Sequence, residues 1–197
     1  MSDQIPGTLL YVKSIGERAV GLVILEDDGS HTTYSISRQD YEALGAPAAK
    51  SVLDPHTLDE VKRLATLRSA YLAAIRILEY GDNNRRTLMQ KLQKRGFSHA
   101  VAETITLRMV DLGYVNEEQF ALRQVVLCAK KGWSRKRTFA HLISHGFPSS
   151  IVCEALDIAE GAGDADFTEN RRRFIEKKKE AGLSGPALQN ALWRAGF

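Results

Sequence analysis

Leu92-Gln93-Lys94-Arg95-Gly96-Phe97, Leu142-Ile143-Ser144-His145-Gly146-Phe147 and Leu192-Trp193-Arg194-Ala195-Gly196-Phe197 are three versions of one phrase, set 50 residues apart. The shared pattern, Leu-x-x-x-Gly-Phe, has a mechanical meaning. Glycine just past a helix end adopts the left-handed conformation that closes it, and the next residue packs back on the side chain five positions earlier. The same helix repeats at its start. Asn84, Ser134 and Ser184 are again 50 apart, and all three are favoured N-cap types. Leu88 and Leu188 match, with Thr138 or Phe139 between them. Each copy therefore contains a short helix of defined start and stop.

Two further helices flank it. The first copy predicts helices over 70–80, 85–95 and 99–112, the second over 117–131, 135–145 and 149–160, and the third over 167–181 and 186–195. Asn116-Glu117-Glu118-Gln119 reads as a capping box at the start of the second copy. Self-similarity at this period implies stacked helical units that rely partly on neighbours to bury their faces.

The first third follows a different grammar. β-rich runs at 8–12, 20–25 and 31–36 predict a three-stranded meander, with Asp28-Gly29 as a hairpin signal. Three strands cannot cover both faces, so packing on another part of the chain is expected. A short helix is expected near 39–44. Pro47 and Pro55 then punctuate the join, and Thr57-Leu58-Asp59-Glu60 reads as a capping box. The pattern does not decide between one long helix and two joined near Ser69. The expected fold class is mainly α: tandem three-helix repeats behind a small β-rich segment. The expected divisions are 1–55 for the strands and short helix, 56–68 for a helical connector, and 69–113, 114–163 and an incomplete 164–197 for the repeats.

With 44% hydrophobic and 26% charged residues in 197, the chain reads as globular. Its longest apolar run is far below the roughly 20 residues of a spanning helix, so no membrane association is expected. The opening Met-Ser-Asp-Gln has no basic stretch and no apolar core, so the cytoplasm is the expected compartment. Cys128 and Cys153 make no disulfide framework, and both fall on apolar phases as buried small hydrophobes.

The net charge of +3 conceals a gradient. Residues 1–68 carry 7 Lys/Arg against 10 Asp/Glu, residues 69–147 carry 13 against 6, and residues 148–197 carry 7 against 8. A polycationic middle suits a polyanionic partner. Its basic residues gather at repeat landmarks. Lys91, Lys94, Arg95, Lys130 and Lys131 lie near helix ends, where the helix dipole also favours cations. Arg85, Arg86, Arg135, Lys136 and Arg137 lie at helix starts, where the dipole disfavours them. Free N–H groups and cations together at a helix start suit phosphate or carboxylate, so these five are the leading contact candidates. Trp133 can stack on a base, though an aromatic before a helix is more often a staple.

No P-loop, dinucleotide fingerprint or nucleophile elbow is present. His141 and His145 have metal-ligand spacing, but His145 aligns with Arg95 and Ala195, which marks an exposed helix end. No catalytic constellation, metal or cofactor is expected.

Met109-Val110-Asp111-Leu112-Gly113-Tyr114-Val115-Asn116-Glu117-Glu118-Gln119-Phe120-Ala121 resembles the junction between the first two repeats of the RecX regulatory proteins of bacteria, and Lys131-Gly132-Trp133-Ser134-Arg135 also fits. The resemblance covers roughly residues 71–197. One departure is that the third repeat stops at Gly196-Phe197 without a third helix. The resemblance implies a non-enzymatic negative modulator, and a monomer is expected. It would dock on the filament of RecA recombinase and single-stranded DNA and inhibit ATP hydrolysis, strand exchange and repressor co-cleavage. The expected filament- or DNA-binding set is Arg85, Arg86, Lys91, Lys94, Arg95, Lys130, Lys131, Trp133, Arg135, Lys136 and Arg137. The alternative from another class is a stand-alone helical DNA-binding protein. Against it, the basic residues are spread over successive repeats rather than gathered on one recognition helix.

Overall fold

A computed structural model describes residues 7–197. Its contacts divide the chain into two units. One comprises residues up to 77 with 92–105, and the other 78–91 with 106–197.

The first unit holds the meander. Strands β1 (Leu9–Ile15), β2 (Ala19–Leu25) and β3 (His31–Ser37) form an antiparallel sheet in the order β1-β2-β3. Leu22 of β2 pairs with Val12 and Tyr34, and one irregularity between Leu9 and Tyr11 shifts the register of β1. Strand alternation sends Val20, Leu22 and Ile24 to one face, where they join Leu9, Ile36, Leu53 and Val61 in a core. The cover is the start of the next long helix, through Leu58, Val61, Leu64 and Ala65. The expected packing partner of the sheet is thus supplied within its own unit. Glu26 strengthens this join: Tyr34 Oη donates to it at 2.7 Å and Lys62 Nζ at 2.9 Å. These bonds, Tyr34's first, hold the Glu26 carboxyl below the usual range.

Helix α1 (Arg38–Ala43) starts from Ser37, whose side chain accepts from Asp40 N. Helix α2 (Pro55–Glu79) is one unbroken helix, which settles the choice left open at Ser69. Its start corrects the expected Thr57 capping box. Asp54 caps instead, with Oδ1 accepting from Thr57 N at 3.0 Å and Oδ2 from the Thr57 hydroxyl at 2.6 Å. Pro55 stands at the first helical position, where its fixed φ and missing N–H cost nothing. Glu60 is drawn to Arg63 at 2.6 Å rather than back to the cap.

Helices α3 (Arg85–Lys94) and α4 (His99–Asp111) follow, then α5 (Glu117–Lys130), α6 (Arg135–Ser144), α7 (Ser149–Gly161), α8 (Phe167–Glu180) and α9 (Gly185–Ala195). The core of the second unit is built from Ala121, Val125 and Cys128 of α5, Leu142 of α6, and Val152, Ala155, Leu156 and Ala159 of α7, with Phe147 and Phe167. The alanines let the helices approach closely, while each buried Leu or Val contributes about 1.5–3 kcal/mol. The spacing 152, 155, 156, 159 is one helical stripe, and Cys153 falls off it. Cys153 is therefore exposed, against the expectation that both cysteines are buried, whereas Cys128 is buried and its thiol is pushed up by desolvation. Thr138, not Phe139, takes the inward place of Leu88 in the repeat; it is 0% exposed and its hydroxyl has no partner among the described residues.

The Leu-x-x-x-Gly-Phe ends form as expected. Phe97, Phe147 and Phe197 donate their N–H to the carbonyls of Leu92, Leu142 and Leu192, and each glycine donates to the next carbonyl along. Gly96, Gly146 and Gly196 have φ of +92°, +88° and +81°, and the three leucines are buried. Asn116 caps α5 by accepting from Gln119 N at 2.8 Å.

Candidate nucleic-acid interface

Successive repeats within the second unit are joined through their caps. Asn84 Oδ1 accepts from Thr87 N at 2.8 Å, capping α3, while its Nδ2 donates to the His145 carbonyl at 2.9 Å. Ser134 does the same one repeat on. Its hydroxyl accepts from Arg137 N at 3.1 Å, capping α6, and donates to the Ala195 carbonyl at 2.9 Å. Each link spans 61 residues. One side chain thus satisfies a free N–H at one helix start and a free carbonyl at the next repeat's helix end. Ser184 makes no side-chain cap bond. The approach is close: a Cβ on Gly146 would lie 2.3 Å from Arg86 Cδ, and one on Gly196 would lie 2.8 Å from Ser134 Oγ.

The leading cations divide into two kinds. Arg85 is committed internally, with its N–H donating to Glu117 Oε1 at 3.0 Å and its Nε lying 3.2 Å from Oε2 of the same buried carboxylate. Arg135 is held by Asp157 and by Glu160, the latter at 2.8 Å. The Glu160 hydrogen bond, aided by the charges of Glu160 and Asp157, raises its pKa. Folding therefore does give these two cations a reason to stand at a helix start, against the expectation from the dipole. Their acids come from helices further along the chain and outweigh the local dipole.

Arg86, Lys136 and Arg137 have no ion pair among the described residues, and all three are exposed. Arg86 and Lys136 occupy the same repeat position, 50 residues apart. The Arg137 guanidinium lies 4.1 Å from the centre of the Trp133 ring, and Lys131 Nζ lies 5.8 Å from it. Trp133 is half-buried against the core and meets His141 edge-on at 5.0 Å, so its main work is packing. Lys91 donates to Asn83 Oδ1 at 2.6 Å, and Arg95 donates to the Ala73 carbonyl at 2.9 Å. Lys94 and Lys130 are exposed, with no ion pair among the described residues. Trp193 of α9, 75% exposed, has no signal in the repeat pattern, since Gln93 and Ile143 hold its place in the other copies.

The His141 and His145 rings meet at a tilt of 50°, with centres 4.0 Å apart. Burial first, then the charges of His145, Lys131 and Arg137, holds the His141 imidazole below the usual value. Among the described residues no group of three His, Cys, Asp or Glu is placed to hold a metal ion, and no helix is long and apolar enough to cross a membrane.

No family model matches the chain. It is 29% identical over 130 residues to the regulatory protein RecX of Trichlorobacter lovleyi, covering 64% of this chain and 82% of that protein. It is 27% identical over 113 residues to the regulatory protein RecX of Stenotrophomonas maltophilia (strain K279a), and 31% identical over 113 residues to that of Xanthomonas axonopodis pv. citri (strain 306). The chain is thus similar in sequence to several bacterial RecX regulatory proteins. Each of the last two matches covers 57% of this chain and 66% of the relative, so the chain spans just under two thirds of those proteins. A RecX crystal structure superposes with a TM-score of 0.76 over 96% of this chain and 94% of that chain at 13% identity, which places the two in one fold. The sheet followed by helical repeats is thus a RecX architecture.

Proposed function

We propose that this chain, similar to RecX proteins, acts as one: a non-enzymatic negative modulator of the RecA recombinase. It binds the filament of RecA and single-stranded DNA through the basic edge of its repeats and inhibits ATP hydrolysis, strand exchange and co-protease activity. The observation that carries the reading is the repeated pair Arg86 and Lys136. Both are exposed and free of ion pairs among the described residues, and both stand at helix starts one repeat apart. Regularly spaced free cations suit an extended polyanion better than a single compact ligand. Arg137 and Lys130 add exposed cations in the same unit. Arg85 and Arg135 position the basic edge through Glu117, Asp157 and Glu160.

The test is RecA ATPase activity on single-stranded DNA with substoichiometric protein added. Inhibition is expected, and weaker inhibition by the R86A/K136A variant at unchanged melting temperature. Lost phosphate contacts should also flatten the log-affinity against log-salt slope by about 0.7 per charge. Full ATPase activity at saturating protein would overturn the reading.

A further inference from the structure

A cavity of about 220 Å3 lies in the second unit among the 82–87 segment, α5 and α6. Its lining combines an apolar floor of Phe120 and Phe147 with Lys91, Gln124, His141 and His145. The phenylalanine rings pack at 5.2 Å between centres. Around them, hydrogen-bonding capacity is left over. Gln124 and the His141 ring are half-buried with no hydrogen bond from their side-chain polar atoms among the described residues. Lys91 gives one of its three protons to Asn83 and keeps two. His145 uses Nδ1 on the His141 carbonyl at 2.8 Å, which leaves Nε2. An apolar floor with a few convergent, unspent polar groups is the usual make-up of a small-ligand site.

We propose that this cavity takes one unstacked nucleobase of a bound single strand, an inference that rests on the strand contact proposed above. The size supports a base and not a whole nucleotide. At about 30 Å3 per liquid water, the space equals roughly seven waters, which is below the 300 Å3 or more of sites for larger ligands. The chemistry points the same way. A neutral imidazole and an amide each offer both a donor and an acceptor, as base edges require, and the rings below accept a planar face. The phosphate-binding charge stands outside. Lys131 and Arg137 lie over Trp133, one ring away from His141, and Arg86 lies against Gly146, the neighbour of Phe147. A backbone held on those cations can turn a base inward.

The experiment measures anisotropy of labelled oligothymidylate and of an abasic strand of equal length, with the full chain and its Gln124→Leu, Lys91→Met and Arg86→Ala variants. Wild type is expected to prefer the base-bearing strand by roughly tenfold, the scale of one well-held base. Q124L should lose most of that preference while binding the abasic strand as wild type does, and K91M should lose it with slightly weaker binding overall. R86A should weaken both strands alike. Competition by free thymidine monophosphate at millimolar concentration would assign the cavity to bases of free nucleotides as well as of strands; its absence would assign it to strands alone. Equal wild-type affinity for the two strands, or a full preference kept by Q124L, would overturn the cavity proposal and leave the modulator reading intact. Failure to bind either strand would overturn the cavity and the DNA contact together, and RecA inhibition would then rest on protein contacts.

Discussion

The helix ends at Gly96 and at Gly146 have the same local chemistry and different surroundings. Both close with a left-handed glycine and a Phe-to-Leu backbone bond. A Cβ at Gly96 would meet nothing within 4 Å, whereas one at Gly146 would strike Arg86. The carbonyl before Gly146 is taken by Asn84. The glycine is thus a local requirement in the first copy and both a local and a tertiary one in the second.

The largest expected effect tests that difference directly. Gly96→Ala should cost about 1 kcal/mol, the price of left-handed φ for a residue with a Cβ. Gly146→Ala should cost about 2 kcal/mol or more, because Arg86 must also move. Urea denaturation followed by helix signal measures both. Adding Arg86→Ala should recover the excess at 146 and nothing at 96; equal costs at the two glycines would break the distinction.

The caps come next. Asn84→Ala removes a cap and a link between repeats, so it should destabilise by about 1–2 kcal/mol. Ser184→Ala removes neither bond and should stay within a few tenths. A similar loss at both positions would mean that neither the cap nor the 61-residue link of Asn84 adds stability.

Position 138 sharpens the contrast in the other direction. Thr138→Val keeps the volume and deletes a buried hydroxyl without a partner. The variant should gain about 1 kcal/mol, read as a higher urea midpoint. An unchanged midpoint would show that the hydroxyl is satisfied in solution.

Smallest is the titration of Glu169, whose partners Arg172 and Arg173 lie in its own helix. Their hydrogen bonds lower its pKa from 4.5 to about 2. The folded value lies below the unfolded one, so the contribution is complete above about pH 4.5 and fades as pH falls towards 2. The site is exposed, so the effect should be slight and should shrink in salt. Comparing acid titrations of wild type and Glu169→Gln measures it, and identical curves would show that the pair adds no stability.

The periodic features were legible because they are local. A cap, a left-handed glycine and an apolar stripe are each written within a few residues, which is why the helices and their ends follow from the 50-residue repeat. What escaped depends on partners far along the chain. Nothing near Arg85 or Arg135 announces Glu117, Asp157 or Glu160, so one cation that ties two repeats and one that ties two helices of a single repeat looked unoccupied. Asp54-Pro55 was visible as punctuation, but its competition with Thr57 for the cap depends on where α2 enters. Cys153 was misplaced by one step of helical phase. The cavity combines residues from three stretches, and no spacing rule joins Lys91, Gln124 and His141.

The constant offset of the cap links has a consequence for descent. The first two repeats each present a side-chain donor at a helix start, Asn84 and Ser134, and the repeat after each presents a backbone acceptor at the matching helix end, so the two junctions follow one rule. Duplication or excision of a whole unit in the gene would rejoin a cap to a suitable helix end without a new interface having to arise. A protein wired in this way can change its length by copying, while point mutation adjusts the charge that each copy carries.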